Sequence, residues 1–386
     1  MNTNRCDYAK KCGGCRFINE SYQKSLEYKQ DYICKLLKQF GRIEDIIGME
    51  QPYFYRNKVN ATFGRDRKGN IISGQYMENT HKIIDKNRCL IEDEYADEII
   101  AYIKSVLKSF KITVFDDRTK YGLLRHVLVR TAHETGEVMV VLVLNSPVLP
   151  SKNNFVKALV KKFDRIKTVV INVNDRQTSM VLGKRNINIY GKGYIEDILC
   201  GKCFRISPTS FYQINSMQTE ILYGKAIEFA GLTGKESVFD AYSGIGTIGI
   251  CASDHAKNVY CVELNPEAVR DAKENGKRNG VKNVRYDCHD AGKFMVKMAQ
   301  DKEKVDVLFL DPPRSGSTNI FIRQVSVLRP RKIVYVSCGP ESLARDLKMF
   351  QKIGYQVKKI QPVDMFPFTE REHVETVCLL SRKAQV

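Results

Sequence analysis

Short continuous apolar runs dominate the second half of the chain. Residues 305–310 and 333–336 carry no polar alternation, the pattern of strands buried on both faces of a parallel sheet. Similar runs at 237–240, 259–262 and 284–286 alternate with helical segments. A helix over 216–230 leads in, and strands at 355–361 and 376–380 close the chain. From about residue 204 this texture predicts an α/β, Rossmann-like domain whose ligands sit beyond the carboxyl ends of its strands.

The first half reads differently. Tyr22, Leu26, Ile33, Leu36, Leu37 and Phe40 follow a helical period, and 52–64 alternates like a strand with one exposed face. A hairpin turn is expected at 65–70. Strands are expected at 74–76, 123–131, 138–144, 168–173 and 177–182, with a helix over 153–163. This predicts a largely antiparallel α+β region with basic faces. Three units result: a cysteine-cluster segment (1–95), an α+β region packed with it (96–204) and the α/β domain (205–386).

Composition narrows the function classes. The formal net charge of +18 points to a polyanionic partner. No apolar run is long enough to span a bilayer, and the polar, basic start is not a secretory signal. Twelve cysteines without such a signal argue for a reducing compartment and for metal-binding or catalytic thiols. A cytoplasmic monomer, off the membrane, is expected.

The candidate chemistry lies at the strand ends. Run 305–310 ends at Asp311-Pro312-Pro313, and 333–336 at Ser337-Cys338-Gly339-Pro340. The prolines fix the chain as it leaves the sheet, so an acid and a thiol are delivered to one cleft. A helix over 341–350 would favour a thiolate at its N-terminus, which marks Cys338 as a nucleophile rather than a small buried hydrophobe. The glycine-rich turn 241–249 opens a helix, and Glu263 ends the second strand, where an acid binds ribose hydroxyls. A nicotinamide site fits that turn too. Asp240 for a methionine ammonium and Asp290 for adenine favour S-adenosylmethionine. A general base is expected among Glu370, Glu372, His373 and Glu375.

Cys6, Cys12 and Cys15 enclose Gly13-Gly14 in a tight loop, with Cys89 the best-placed fourth ligand. Zinc and an iron–sulfur cluster both suit this set. Cys34 falls in the helical pattern and reads as core, and Cys200-x-x-Cys203 as coincidence. Arg56 and Lys58 among aromatics suit RNA, cations for phosphate and rings for bases. His126 reads as structural or RNA-facing.

Several motifs in order then resemble one family. They are Cys6/Cys12/Cys15/Cys89, Gly122-Leu-Leu-Arg-His126, 207–215, the 240–246 turn, Asp311-Pro-Pro-Arg314, Ser337-Cys-Gly-Pro340, and Asp364-Met-Phe-Pro followed by His373-Val-Glu375. Together they resemble the RNA 5-methyluridine methyltransferases, specifically the iron–sulfur branch acting on 23S ribosomal RNA, without the small β-barrel (TRAM) domain many members carry in front. The resemblance implies a [4Fe-4S] cluster on Cys6, Cys12, Cys15 and Cys89, Cys338 as nucleophile and Glu375 as proton acceptor. It places Gln213, Tyr242, Thr247, Glu263, Asp290 and Asp311 at S-adenosylmethionine-contacting positions. The loop 368–372 is longer than that family's usual spacing, which keeps Glu372 in competition with Glu375. Transfer RNA as substrate, cytosine-5 methylation and a non-enzymatic iron–sulfur RNA-binding protein are the alternatives. The cytosine-5 enzymes usually carry Pro-Cys where this chain has Pro312-Pro313.

Overall fold

The computed structural model describes residues 5–176 and 180–383, which form two seven-stranded sheets and a small hairpin. The first sheet contains β1 (Lys58–Arg65), β2 (Ile71–Tyr76), β3 (Ile83–Asp85), β4 (Leu124–Thr131), β5 (Val138–Leu144), β6 (Ile166–Val173) and β7 (Arg185–Gly191), in the order β3-β2-β1-β4-β5-β6-β7. Every pairing is antiparallel except β5–β6. That parallel step needs a crossover, supplied by the helix Lys152–Lys162. This helix and Glu94–Val106 bury Phe155, Leu159, Ile99 and Ile103 against Val59, Val127, Val129 and Val140 on one face. The opposite face, through Leu128, Met139, Val141 and Val143, shares a core with the second half of the molecule.

A hairpin, β8 (Ile195–Leu199) and β9 (Lys202–Ile206), leads into the helix Ser216–Ala230. Asn215 caps that helix by accepting from the Gln218 N–H, and Gly231 ends it in the left-handed region at φ 56. The second sheet contains β10 (Ser237–Ala241), β11 (Asn258–Glu263), β12 (Val284–Cys288), β13 (Val307–Leu310), β14 (Lys332–Ser337), β15 (Tyr355–Val363) and β16 (Glu375–Arg382). Their order is β12-β11-β10-β13-β14-β16-β15. The first five are parallel, and β16 runs antiparallel between β14 and β15. The expected Rossmann-like α/β sheet is therefore present. Its order reverses at β10, and a pocket opens beyond the carboxyl ends of β10 and β11, lined by Gly244, Ile245 and Glu263.

The N-terminal segment does not stay with the first sheet. The helix Tyr22–Leu37 sends Ile33 and Leu37, with Phe40 beyond it, into the core of the second. The chain then bridges the edge strand β15, Ile43 with Ile360 and Ile47 with Val363. The first sheet takes strands from both sides of residue 95. Of the strand expected over 52–64, only Lys58–Arg65 forms. Pro52 cannot donate to a ladder, and Phe54 has φ 54. The strand expected at 177–182 lies in part outside the described residues; the sheet closes instead with β7. No helix among the described residues is long and apolar enough to cross a membrane.

Candidate active site

Sheet register brings the thiol and the base candidate together. In the antiparallel β14–β16 pair Ser337 lies opposite Thr376, so Cys338 and Glu375, one step further, face each other at the cleft edge. Asp311 follows β13, the next strand over. The loop after Asp311 packs against the loop after Cys338. A side chain at Gly339 would come within 2.6 Å of the Arg314 carbonyl oxygen, so only glycine permits that approach. Asp346 holds the arrangement from behind, accepting from the Ser317 N–H and the Tyr335 hydroxyl, both at 2.7 Å.

The electrostatics differ from the sequence expectation. Cys338 is not held as a thiolate by the following helix. Burial, then Glu375 and Asp311, push its thiol up to about 12, with Arg314 opposing. Burial, then Asp311, likewise pushes Glu375 up to about 8, and Arg314 again opposes. Asp311 is raised to about 7 by burial. Glu375 is 3% exposed and its Oε2 has no hydrogen-bond partner, an acceptor left open in the cleft wall. Among the described residues, the Arg314 guanidinium acts on both Cys338 and Glu375. Sequence reasoning quoted it within a motif and gave it no role.

The β10 turn supplies a second group. Asp240 is buried, accepts from the Gly249 N–H at 2.9 Å with one oxygen, and leaves the other without a partner. Burial raises it to about 8. A side chain at Gly249 would lie 3.0 Å from that carboxylate, which fixes a glycine there. Tyr242 adopts φ 62, a costly backbone for an aromatic residue and one found at ligand sites. Glu263 accepts from the Gly244 N–H at 3.1 Å, and Thr247 lies 3.4 Å from the buried Tyr223 hydroxyl. Asp290 is exposed and caps the helix Ala291–Gln300 through the Lys293 N–H at 2.8 Å. Gln213 is buried, and its carbonyl accepts from Asn57 at 3.0 Å, tying this stretch to β1. Of these residues Glu263 lines the pocket beyond β10 and β11, beside Gly244 and Ile245.

The four N-terminal cysteines, far apart in sequence, line one cavity with Ile18, Leu90 and Ile91. Burial, then neighbouring Cys89, raises the Cys15 thiol, and burial pushes Cys89 up to about 11. Among the described residues no three His, Cys, Asp or Glu side chains gather closely enough to hold a metal ion. Cys34 is half-buried on its helix, away from this cavity. His126 is half-buried on β4 beside Thr62, and desolvation drops it to about 4.

A parallel sheet that reverses at β10, a glycine-rich turn after the first strand and acids at successive strand ends define a methyltransferase of the S-adenosylmethionine-dependent class. The family model described as tRNA (uracil-5-)-methyltransferase matches residues 21–383, and the chain belongs to that family. It is a transferase of one-carbon groups, an RNA methyltransferase. A protein from Caldanaerobacter subterraneus subsp. tengcongensis, named as an uncharacterized RNA methyltransferase, is 44% identical and covers 98% of this chain and 84% of its own. One of the same description from Clostridium acetobutylicum is 41% identical, over 98% and 83%. Among solved structures, the Pyrococcus abyssi tRNA (uracil-54, C5)-methyltransferase with S-adenosyl-L-homocysteine superposes with a TM-score of 0.75. It is 29% identical and covers 94% of this chain and 84% of that one.

Proposed function

We propose that this enzyme methylates carbon 5 of a uridine in 23S ribosomal RNA through a covalent adduct with Cys338. The observation that carries the reading is the facing pair Cys338 and Glu375, with Asp311 beside both. Carbon 5 of uracil is a weak nucleophile. The Cys338 thiol loses its proton to water, the thiolate adds to carbon 6, and the electron pair moves to carbon 5 and the neighbouring carbonyl. Carbon 5 then takes the methyl group, and the methyl–sulfur bond of the donor breaks, leaving S-adenosylhomocysteine. Glu375 removes the proton from carbon 5, the carbon 6–sulfur bond breaks, and Cys338 leaves. Arg314 favours the charged forms of both groups, the thiolate of Cys338 that attacks and the carboxylate of Glu375 that takes the proton. Gln213, Tyr242, Thr247, Glu263, Asp290 and Asp311 contact the donor, which brings a methyl sulfonium cation. A paired uridine cannot reach this cleft, so the target is flipped or in a loop.

Cys6, Cys12, Cys15 and Cys89 hold a [4Fe-4S] cluster in this reading. Four thiols around a shared cavity fit a cluster, which takes each thiolate on a different iron. A single zinc draws all four sulfurs to about 2.3 Å. The cluster, when bound, supplies cross-links between distant parts of the chain. The cysteine ligands belong to segment 1–95, RNA docking to the basic faces of 1–95 and 96–204 together, and methyl transfer to 205–386. The enzyme works as a monomer in the cytoplasm. Transfer RNA is the second reading, favoured by the family's description and by what the Pyrococcus enzyme acts on.

The test is trapping. RNA carrying 5-fluorouridine, which has no proton to surrender at carbon 5, is expected to stay covalently attached to the wild-type enzyme in the presence of S-adenosylmethionine. Cys338→Ala is expected to form no adduct. An adduct that survives in Cys338→Ala would refute the assignment.

A further inference from the structure

We propose that Lys58 and Arg130, with Arg56 beside them, form a binding site for a backbone phosphate of the RNA next to the target uridine. The inference rests on the reading of this protein as an RNA methyltransferase and adds a subsite to it. Lys58 on β1 and Arg130 on β4 are register partners, so their side chains leave the same face of the sheet directly opposite one another. Like charges so placed repel and destabilise a sheet. Elsewhere the molecule pairs buried cations with acids, Lys29 with Asp364 and Lys86 with Glu92. Among the described residues no carboxylate comes within ion-pair distance of Lys58, Arg130 or Arg56.

Burial and the charges of Arg130 and Arg56 together push Lys58 down to about 8, and no acid acts on it. Arg130 is 3% exposed. Its guanidinium donates to the Ser210 carbonyl at 2.6 Å, while its Nε has no partner. It stays charged in that setting and acts from behind Lys58. An anion at Lys58 offsets the facing charges of Lys58 and Arg130, and among the described residues no carboxylate supplies one.

The location selects the anion. Asn57, the residue before Lys58, donates to the Gln213 carbonyl and to the Ser216 hydroxyl, both at 3.0 Å. Arg130 reaches the same 207–215 stretch through Ser210. The cations therefore lie beside the segment that carries Gln213 into the methyl-transfer cleft. RNA that places a uridine in that cleft runs its backbone past this point.

The test compares full-length wild type, Lys58→Met and Lys58→Arg for binding to unmodified 23S ribosomal RNA made in vitro, across a potassium chloride series. Lys58→Met is expected to weaken binding about tenfold at moderate salt and to reduce the slope of log affinity against log salt by about 1, one phosphate contact. Lys58→Arg is expected to keep the wild-type slope. Affinity for S-adenosylhomocysteine is expected to be unchanged, and the Lys58→Met melting temperature to be equal or higher, since a like-charge repulsion is relieved. An unchanged slope overturns the proposal, as would be the case for a site holding only a free anion. So does a drop in melting temperature with no change in slope. If Lys58→Met does not fold, Arg56→Gln is measured the same way with the same criterion. Because phosphate contacts are insensitive to sequence, the slope remains informative if the wild type binds this RNA without methylating it. That outcome would count against the ribosomal substrate and leave the subsite standing.

Discussion

Cys338 rests as a thiol among acids, and this sets the pH behaviour of the site. With the thiol pushed up to about 12, the attacking thiolate is a small minority at neutral pH, so adduct formation should accelerate as pH rises. Glu375, at about 8, loses its basic form as pH falls below that value, so release of methylated RNA should slow there first. Glu375→Gln is expected to accept the methyl group yet slow elimination by about 10²–10⁴-fold, leaving labelled RNA attached to protein on a denaturing gel. Free 5-methyluridine at the wild-type rate would move the role of base to Glu372. The same shifts bear on stability. Glu375 rises from 4.5 to about 8 and Asp240 from 3.8 to about 8, so the folded chain holds protons that the unfolded chain has released. Stability should therefore fall as pH rises through roughly 4 to 8, and Glu375→Gln should flatten that fall in a melting-temperature series. Cys338 and Asp311 were legible because strand ends in a parallel sheet share one edge. Arg314 was not, since a Pro-Pro turn does not reveal where the following side chain points. Nor could the sequence show that burial outweighs the helix N-terminus at Cys338.

At the scale of elements, the segment between β15 and β16 ties the cysteine region to Glu375. Lys29 on the helix Tyr22–Leu37 donates to Asp364 and to the Phe366 carbonyl, both at 2.7 Å, with Lys29 and Asp364 fully buried. Tyr22 donates to the other Asp364 oxygen at 2.8 Å. Phe368, at φ 66, is packed with Phe17, Ile18 and Leu90 in the cluster that also touches Cys6, Cys15 and Cys89. Lys29→Met leaves the Asp364 charge in the core with no cation beside it. It is expected to cost about 3–5 kcal/mol, read by denaturant unfolding. A cost below about 1 kcal/mol would mean the pair is not buried as described. Cys12→Ser, purified without oxygen, is expected to lose the brown iron–sulfur absorbance and weaken RNA binding while still binding S-adenosylhomocysteine. Intact RNA affinity with methyl transfer abolished would contradict a structural role for the cluster. Most strands could be read from apolar runs. The helix Glu94–Val106 went unread despite the capping Asp93 and its periodic isoleucines. The ties across Lys29 and Phe368 lie beyond any local pattern, because Lys29 and Asp364 stand 335 positions apart.

At the scale of the molecule, two sheets share one core, and the basic residues of β1 and β4 lie beside the 207–215 stretch. The formal charge of +18 foretold a polyanion, and the order of acids at strand ends foretold the methyl donor. Which RNA presents its uridine could not be read from either, because phosphate contacts carry no sequence information. The decisive measurement is to incubate the protein, purified without oxygen, with labelled S-adenosylmethionine. Ribosomal and transfer RNA from a strain lacking the enzyme serve as separate substrates, and the product is mapped. The expected result is label in 23S ribosomal RNA as 5-methyluridine in a loop. Label in transfer RNA would keep the chemistry and replace the substrate, whereas no label in either, from protein with an intact cluster, would contradict the proposed function.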